Sequence, residues 1–271
     1  MLRSLVFFCS LVLLLAPVCR LGATAPDATG QYFTSFDGTR IYYEVAGSGA
    51  PVLLVHGFIV DGTSWKRTAL YQQLLDAGFR VIVPDLRGNG QSDKPHTPEA
   101  YANDAEARDL MGLMSALGIT HYRVVGYSRG SIITARLLAL DTRVDRAVLG
   151  GMGAAFTKPE WPRREKFYHA LMGEDVPELA GMVRHVQEAG LDQRALAYLQ
   201  KEQPSTPPDV LGRVQQPVLV IAGDQDNDNG IAEELAALFP HARAVRVPGE
   251  HNRTYHTEAF AENVLAFLQE D

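Results

Sequence analysis

Cysteine is almost absent from this chain of 271 residues: the two present, Cys9 and Cys19, both fall within the first 25 positions. Beyond that segment there is neither a disulfide framework nor a cysteine metal site, so stability must come from packing. No cluster of lysine and arginine occurs, and the formal charge is −7. A net acidic chain without a basic patch is a poor partner for nucleic acid. There is no internal repeat and no low-complexity block. What remains is ordinary globular composition, 46% apolar and 21% charged, long enough to bury a substantial core as one domain.

The N-terminal stretch MLRSLVFFCSLVLLLAPVCRLGATA places Arg3 before an apolar run from Leu5 to Val18, followed by small residues. That layout predicts a secretory signal peptide over residues 1–25 and export to the periplasm or the extracellular space, with an apolar run short for a transmembrane helix. Its removal takes the formal charge from −7 to −9, because the segment holds two arginines and no acid. An uncleaved segment would instead anchor the protein to a membrane.

The rest alternates. QYFTSF and RIYYEVA flank Asp37-Gly38, the chemistry of a hairpin turn. Short β-branched runs bounded by Gly or Pro then follow: PVLLVHG, RVIVPDLRG, YRVVGYSRG, DRAVLGG, PVLVIAGD and ARAVRVPG. They are too short for helices and read as buried parallel strands. Between them, residues 101–117 put Leu110, Leu113, Met114 and Leu117 on one helical face, and residues 257–269 do so with Phe260, Val264, Phe267 and Leu268 behind a Thr257 N-cap. The pattern predicts an α/β fold, a doubly wound and mostly parallel sheet of about eight strands. Residues 154–216 break the rhythm with helical pieces near 163–172, 178–189 and 192–202, punctuated by prolines. They are expected to form a helical lid inserted into a core of residues 26–153 and 217–271.

The sharpest motif is Gly126-Tyr127-Ser128-Arg129-Gly130, which follows one strand and opens the helix SIITARLLAL. G-x-S-x-G in this setting lifts a serine hydroxyl above the sheet on a strained turn, and the glycines let backbone pack against it. With His56-Gly57-Phe58 after PVLLV and the loop DLRGNGQSD at 85–93, the chain resembles the α/β-hydrolase superfamily over nearly all of its length beyond residue 25. The resemblance implies Ser128 as nucleophile and an oxyanion hole made by the backbone N–H groups of Phe58 and Arg129. His56 is expected to shape its turn rather than to move protons.

The family's order is Ser, acid, His. Its acid stands three residues beyond the glycine ending the seventh strand, which makes Asp226 the best match in GDQDNDNG, with Asp224 and Asp228 as alternatives. A calcium loop is a poor fit, since Asn229 and Leu235 stand where Gly and Glu are needed. Asp228 or Asn229 is expected to cap the helix IAEELAALF. The base is expected at His251, with His256 as the alternative; Glu250 stands between Gly249 and His251, where the family usually has glycine directly before the histidine. His96, His121, His169, His185 and His241 are expected to serve the surface or the lid.

These residues predict an acyl-enzyme hydrolase acting on a small ester, without metal or organic cofactor. Thioester or amide cleavage and cofactor-free perhydrolysis use the same triad, and the fold also hosts ligand-binding proteins without turnover. Relatives that open epoxides or cleave carbon–halogen bonds carry aspartate where Ser128 stands. A histidine base predicts activity rising with pH through neutrality as the imidazole loses its proton. Phe156, Trp161, Phe167 and Tyr168 could line an apolar pocket under the lid.

Overall fold

The computed structural model describes residues 30–226 and 228–270. Residues 1–25, where a signal peptide is expected, lie outside the described residues, and within the latter no helix is long and apolar enough to cross a membrane. Eight strands form one sheet: β1 (Gln31–Thr34), β2 (Arg40–Ala46), β3 (Pro51–Val55), β4 (Arg80–Pro84), β5 (Tyr122–Tyr127), β6 (Val144–Gly150), β7 (Val218–Gly223) and β8 (Ala242–Val247). Their spatial order is β1-β2-β4-β3-β5-β6-β7-β8. β2 runs antiparallel to both β1 and β4, and every later pairing is parallel. The hairpin that opens the sheet turns through Ser35–Thr39, with Gly38 at φ +88°.

Among the described residues, eleven α-helical segments accompany the sheet. α1 (Thr63–Lys66), α2 (Ala69–Asp76), α3 (Ala105–Ala116), α4 (Arg129–Leu140) and α5 (Pro162–Leu171) come first. α6 (Ala180–Glu188), α7 (Gln193–Lys201), α8 (Pro208–Leu211), α9 (Ala232–Ala236), α10 (His251–Thr254) and α11 (Glu258–Leu268) complete the chain.

The strands read as continuous apolar runs because both sheet faces are covered. Leu53, Val55, Val124 and Leu149 face α3, α4 and α9, meeting Leu110, Ile133 and Leu235. Their neighbours Val52, Leu54, Val125 and Val148 face α2 and α11, meeting Leu70, Leu74, Phe260 and Val264. The Thr257 hydroxyl accepts from the Phe260 amide and caps α11. α3 starts later than its apolar spacing predicts, because Asn103 and Asp104 take left-handed backbone at φ +54° and +61° and end the preceding turn.

Between β6 and β7 the regular elements are all helical, with no strand among the described residues. α5, α6 and α7 share a small apolar cluster around Leu171, Val186, Leu196 and Leu199, seated on Tyr101, Phe58 and Ile59 from the sheet side. Polar ties join the same two bodies: the His96 imidazole meets the Asp192 carboxylate at 2.8 Å, and Arg129 donates to the Leu199 carbonyl at 3.0 Å.

The loop after β4 is held by a buried cation. Arg87 is fully buried and forms two 2.6 Å bonds to the Asp109 carboxylate, reaches Asp37 at 2.9 Å and donates to the Ala100 carbonyl. A planar guanidinium suits this task because it carries donors in several directions. Removing one partner strands the other's charge, so Arg87→Met is expected to lower unfolding free energy by about 3–5 kcal/mol in urea titration. Pairing it with Asp109→Leu is expected to recover part of that loss.

Candidate active site

The carboxyl ends of β3, β5, β7 and β8 converge on one crevice. The chain passes from β3 to β4 on one side and then to β5 on the other, so β3 and β5 flank the point where the winding reverses, the usual ligand position in such sheets. Ser128 follows β5 directly and has φ +54° and ψ −123°, a conformation L residues rarely adopt. Close packing imposes it. A Cβ on Gly126 would lie 2.4 Å from the Gly130 carbonyl oxygen, and one on Gly130 would lie 2.2 Å from that of Val55. The two glycines let α4 start against β3 and β5, and the backbone between them must bend sharply.

Three residues from separate loops then meet. The Ser128 hydroxyl lies 2.9 Å from His251 Nε2, and His251 Nδ1 lies 2.8 Å from Asp226 Oδ2. A carboxylate on Nδ1 selects the tautomer with its proton there, leaving Nε2 free to accept from the serine. Asp226 is 3% exposed, which keeps this bond away from water. Among the three acids of the loop, Asp226 is the one that faces the imidazole. Asp224 instead accepts from the Gly249 amide at 3.0 Å and holds the loop that carries the histidine. Asp228 is exposed and donates its amide toward Asp226.

The extra Glu250 is accommodated by Gly249, whose φ is +137°, so that Glu250 takes the N-cap position of α10, without a side-chain bond, and His251 becomes its first residue. Tyr127 donates its hydroxyl to the His251 carbonyl at 2.6 Å, while its ring stacks on Tyr255 at 4.6 Å. His256 packs beside Tyr255 and turns away from this group. Neither Asp228 nor Asn229 caps α9, whose N-cap is Ile231 without a side-chain bond. Asn229 is drawn elsewhere: its amide nitrogen lies 3.3 Å from both His251 ring nitrogens and 3.3 Å from the Gly151 carbonyl. Tyr127 and Asn229 escape sequence reasoning because both occupy positions that look like generic loop or motif filler.

The backbone N–H groups of Phe58 and Arg129 donate to no other group among the described residues. Both residues line the cavity that contains Ser128. The side chain of Arg129 points away from it, into a buried pair with Glu106 at 2.5 and 2.7 Å. His56 is 1% exposed and uses both nitrogens on backbone: Nδ1 donates to the Gly57 carbonyl at 2.8 Å, and Nε2 accepts from the Leu86 amide at 3.0 Å. It ties the loop after β3 to the loop after β4. Asp85 adds to that tie by accepting from the amides of Gly62 and Gln91.

Asp226, Asp228 and His251 present possible ligand atoms within 4.8 Å of one another, the one such group among the described residues. A cation there would have to take Nδ1 of His251 away from Asp226. The arrangement as it stands suits proton transfer from a hydroxyl, with an acid to hold the resulting imidazolium.

Comparison with known proteins agrees with this architecture. Residues 50–180 match the family described as alpha/beta hydrolase fold. A protein of Synechocystis sp. named as a candidate non-heme chloroperoxidase is 42% identical over 111 residues, 40% of this chain and 39% of that one. The non-heme haloperoxidase of Rhodococcus erythropolis is 28% identical over 88% of this chain and 99% of its own. Among solved structures, a thermophilic esterase from Thermogutta terrifontis shares 26% identity at a TM-score of 0.73, covering 89% of this chain and 98% of that one. The chain matches 39% or less of the length of the first curated relatives, which include epoxide hydrolases of Siraitia grosvenorii. The chain has the α/β-hydrolase fold, with the family's signature over residues 50–180.

Two expected outcomes test this geometry. At position 128 the usual ranking of Ala and Gly should invert, with Ser128→Gly more stable than Ser128→Ala by about 1–2 kcal/mol in urea unfolding, because only glycine relieves the positive φ. Burial holds His56 below the usual histidine range. Below about pH 6.5 the unfolded chain therefore takes up a proton that the folded chain refuses, and stability falls as pH falls, by at most ~1.4 kcal/mol per unit for one group. Unfolding midpoints of His56→Gln between pH 8 and 5 should lack that component of the wild-type slope.

Proposed function

We propose that the protein is an exported serine hydrolase that cleaves a small ester through an acyl-enzyme. The observation that carries this reading is the hydrogen-bonded relay from Ser128 through His251 to Asp226. In the proposed cycle, His251 Nε2 takes the Ser128 proton as Oγ attacks the ester carbonyl. The amides of Phe58 and Arg129 receive the oxyanion, and two such donors stabilise it by roughly 3 kcal/mol each. His251 then gives its proton to the leaving alcohol. Water enters, loses a proton to the same nitrogen and attacks the acyl carbon. Collapse of the second intermediate releases the acid and returns the proton to Ser128. Asp226 stays ionised throughout and stabilises the imidazolium.

Residues 154–216 serve in this reading as the lid, and residues 26–153 with 217–271 as the core. Export rests on the character of residues 1–25. Serine at position 128 argues against epoxide opening, although several relatives are named for it. Perhydrolysis is the second reading, favoured by relatives named as haloperoxidases. There hydrogen peroxide replaces water on the acyl-enzyme and a peracid leaves, with the same proton transfers.

The test is labelling of the purified protein with a fluorophosphonate and mass spectrometry of the modified peptide. An adduct on Ser128 that is lost in Ser128→Ala and much reduced in His251→Ala is the expected result. Ester turnover in both variants should fall by at least about 10⁴-fold. A folded protein that takes no label would sink the hydrolase reading and favour a ligand-binding role.

A further inference from the structure

The cavity over Ser128 has a volume of about 230 Å³. That is below the ~300–1,000 Å³ of most small-molecule sites, so it suits an acyl group of a few carbons. Part of its wall is apolar, from Ile132, Met152, Trp161, Phe167 and Met182. The rest is unexpectedly polar. Gln200 and Gln203, near the end of α7, are only 6% and 5% exposed, and both face this cavity. Among the described residues, neither side-chain amide has a hydrogen-bond partner in the protein. Neither is among the enclosed polar atoms that lack a partner, so both amides open onto the cavity, and beside a nucleophile such a pair is complementary to a polar ligand group.

A cation stands at the rim of the same cavity, exposed to solvent. Arg163, on α5, lies over the Phe167 ring at 4.7 Å. No carboxylate lies within ion-pairing distance of it among the described residues, whereas Arg129 and Arg164 are both paired. Asp228 also lines the cavity, on the side of His251, with its carboxylate within 4.8 Å of the imidazole. It repels any ligand carboxylate near His251, so an anionic chain end must lie on the Arg163 side of the cavity.

We propose that this cavity selects an acyl chain ending in a single carboxylate, with Arg163 as its cation and the Gln200 and Gln203 amides as hydrogen-bond donors. The methylenes of such a chain lie against the apolar wall, and the ester carbonyl stays at Ser128. This substrate class rests on the ester-hydrolase reading above and refines it.

The experiment compares two methyl esters of equal shape: methyl hydrogen glutarate, and methyl 5-methylhexanoate, in which isopropyl replaces carboxylate. 4-Nitrophenyl acetate serves as a reference for the basic reaction. Wild-type enzyme should favour the anionic ester in kcat/KM. In Arg163→Gln that preference should fall by about tenfold, the scale of one charge-assisted contact near the surface, and Arg163→Lys should restore part of it. Raising the ionic strength should also shrink the wild-type preference. If the acetate is cleaved but wild-type enzyme shows no preference, or a preference that Arg163→Gln leaves intact, the carboxylate subsite is overturned while the hydrolase stands. If neither ester nor the acetate is cleaved and Ser128 takes no fluorophosphonate, the hydrolase reading falls and this subsite with it.

Discussion

The left-handed backbone at Ser128 is the constraint around which the rest of the site is arranged. It exists because Gly126 and Gly130 bring α4 within contact of β3 and β5, closer than any side chain would permit. The cost is local strain of the order of 1–3 kcal/mol. In exchange the hydroxyl projects above the sheet toward the loops that follow β7 and β8. The start of α4 also leaves the Arg129 amide without a helical partner, as the first amides of any helix are left. Nucleophile and oxyanion donor therefore come from one steric event.

Holding the surrounding loops against this bend takes buried polar contacts rather than further apolar packing. His56 joins the loops after β3 and β4 through two backbone bonds, and Arg87 clamps the second of these to α3 and to the opening hairpin. Arg129 repeats the device one residue beyond the nucleophile: its guanidinium meets Glu106 on α3 and the Leu199 carbonyl on α7. Buried ion pairs contribute little net stability, but breaking one is costly, so they resist partial opening. The elbow is thereby tied to both the sheet's covering helix and the helical insertion.

The histidine arm shows the same economy in its own loop. Asp224 holds Gly249, Tyr127 holds the His251 carbonyl, and Asn229 packs against the imidazole while reaching the end of β6. Three consecutive-looking acids thus have three duties: one fixes the loop, one faces the histidine, and one remains in solvent near the cavity. Their alternation in the sequence says nothing of this division, because the turn at 223–226 decides which carboxylate points inward.

Strand number, sheet class, the elbow and the candidate residues of the site were legible in the sequence, since each depends on local rules: apolar runs bounded by Gly or Pro, helical spacing, and a motif whose glycines are sterically required. The late start of α3 and the missing cap on α9 were not, because tertiary contacts overrode local preference at Asp104 and Asn229. The family resemblance favoured Asp226, but nothing in the sequence shows what Asp224 and Asp228 do instead, or that Arg129 turns inward while Arg163 stays unpaired by the cavity. Those outcomes depend on which side chains meet across 25 to 123 residues of chain (from Asp226–His251 to Ser128–His251). Periodicity along a chain reports what each segment buries; only the assembled loops determine which charges find partners and which are left to meet a ligand.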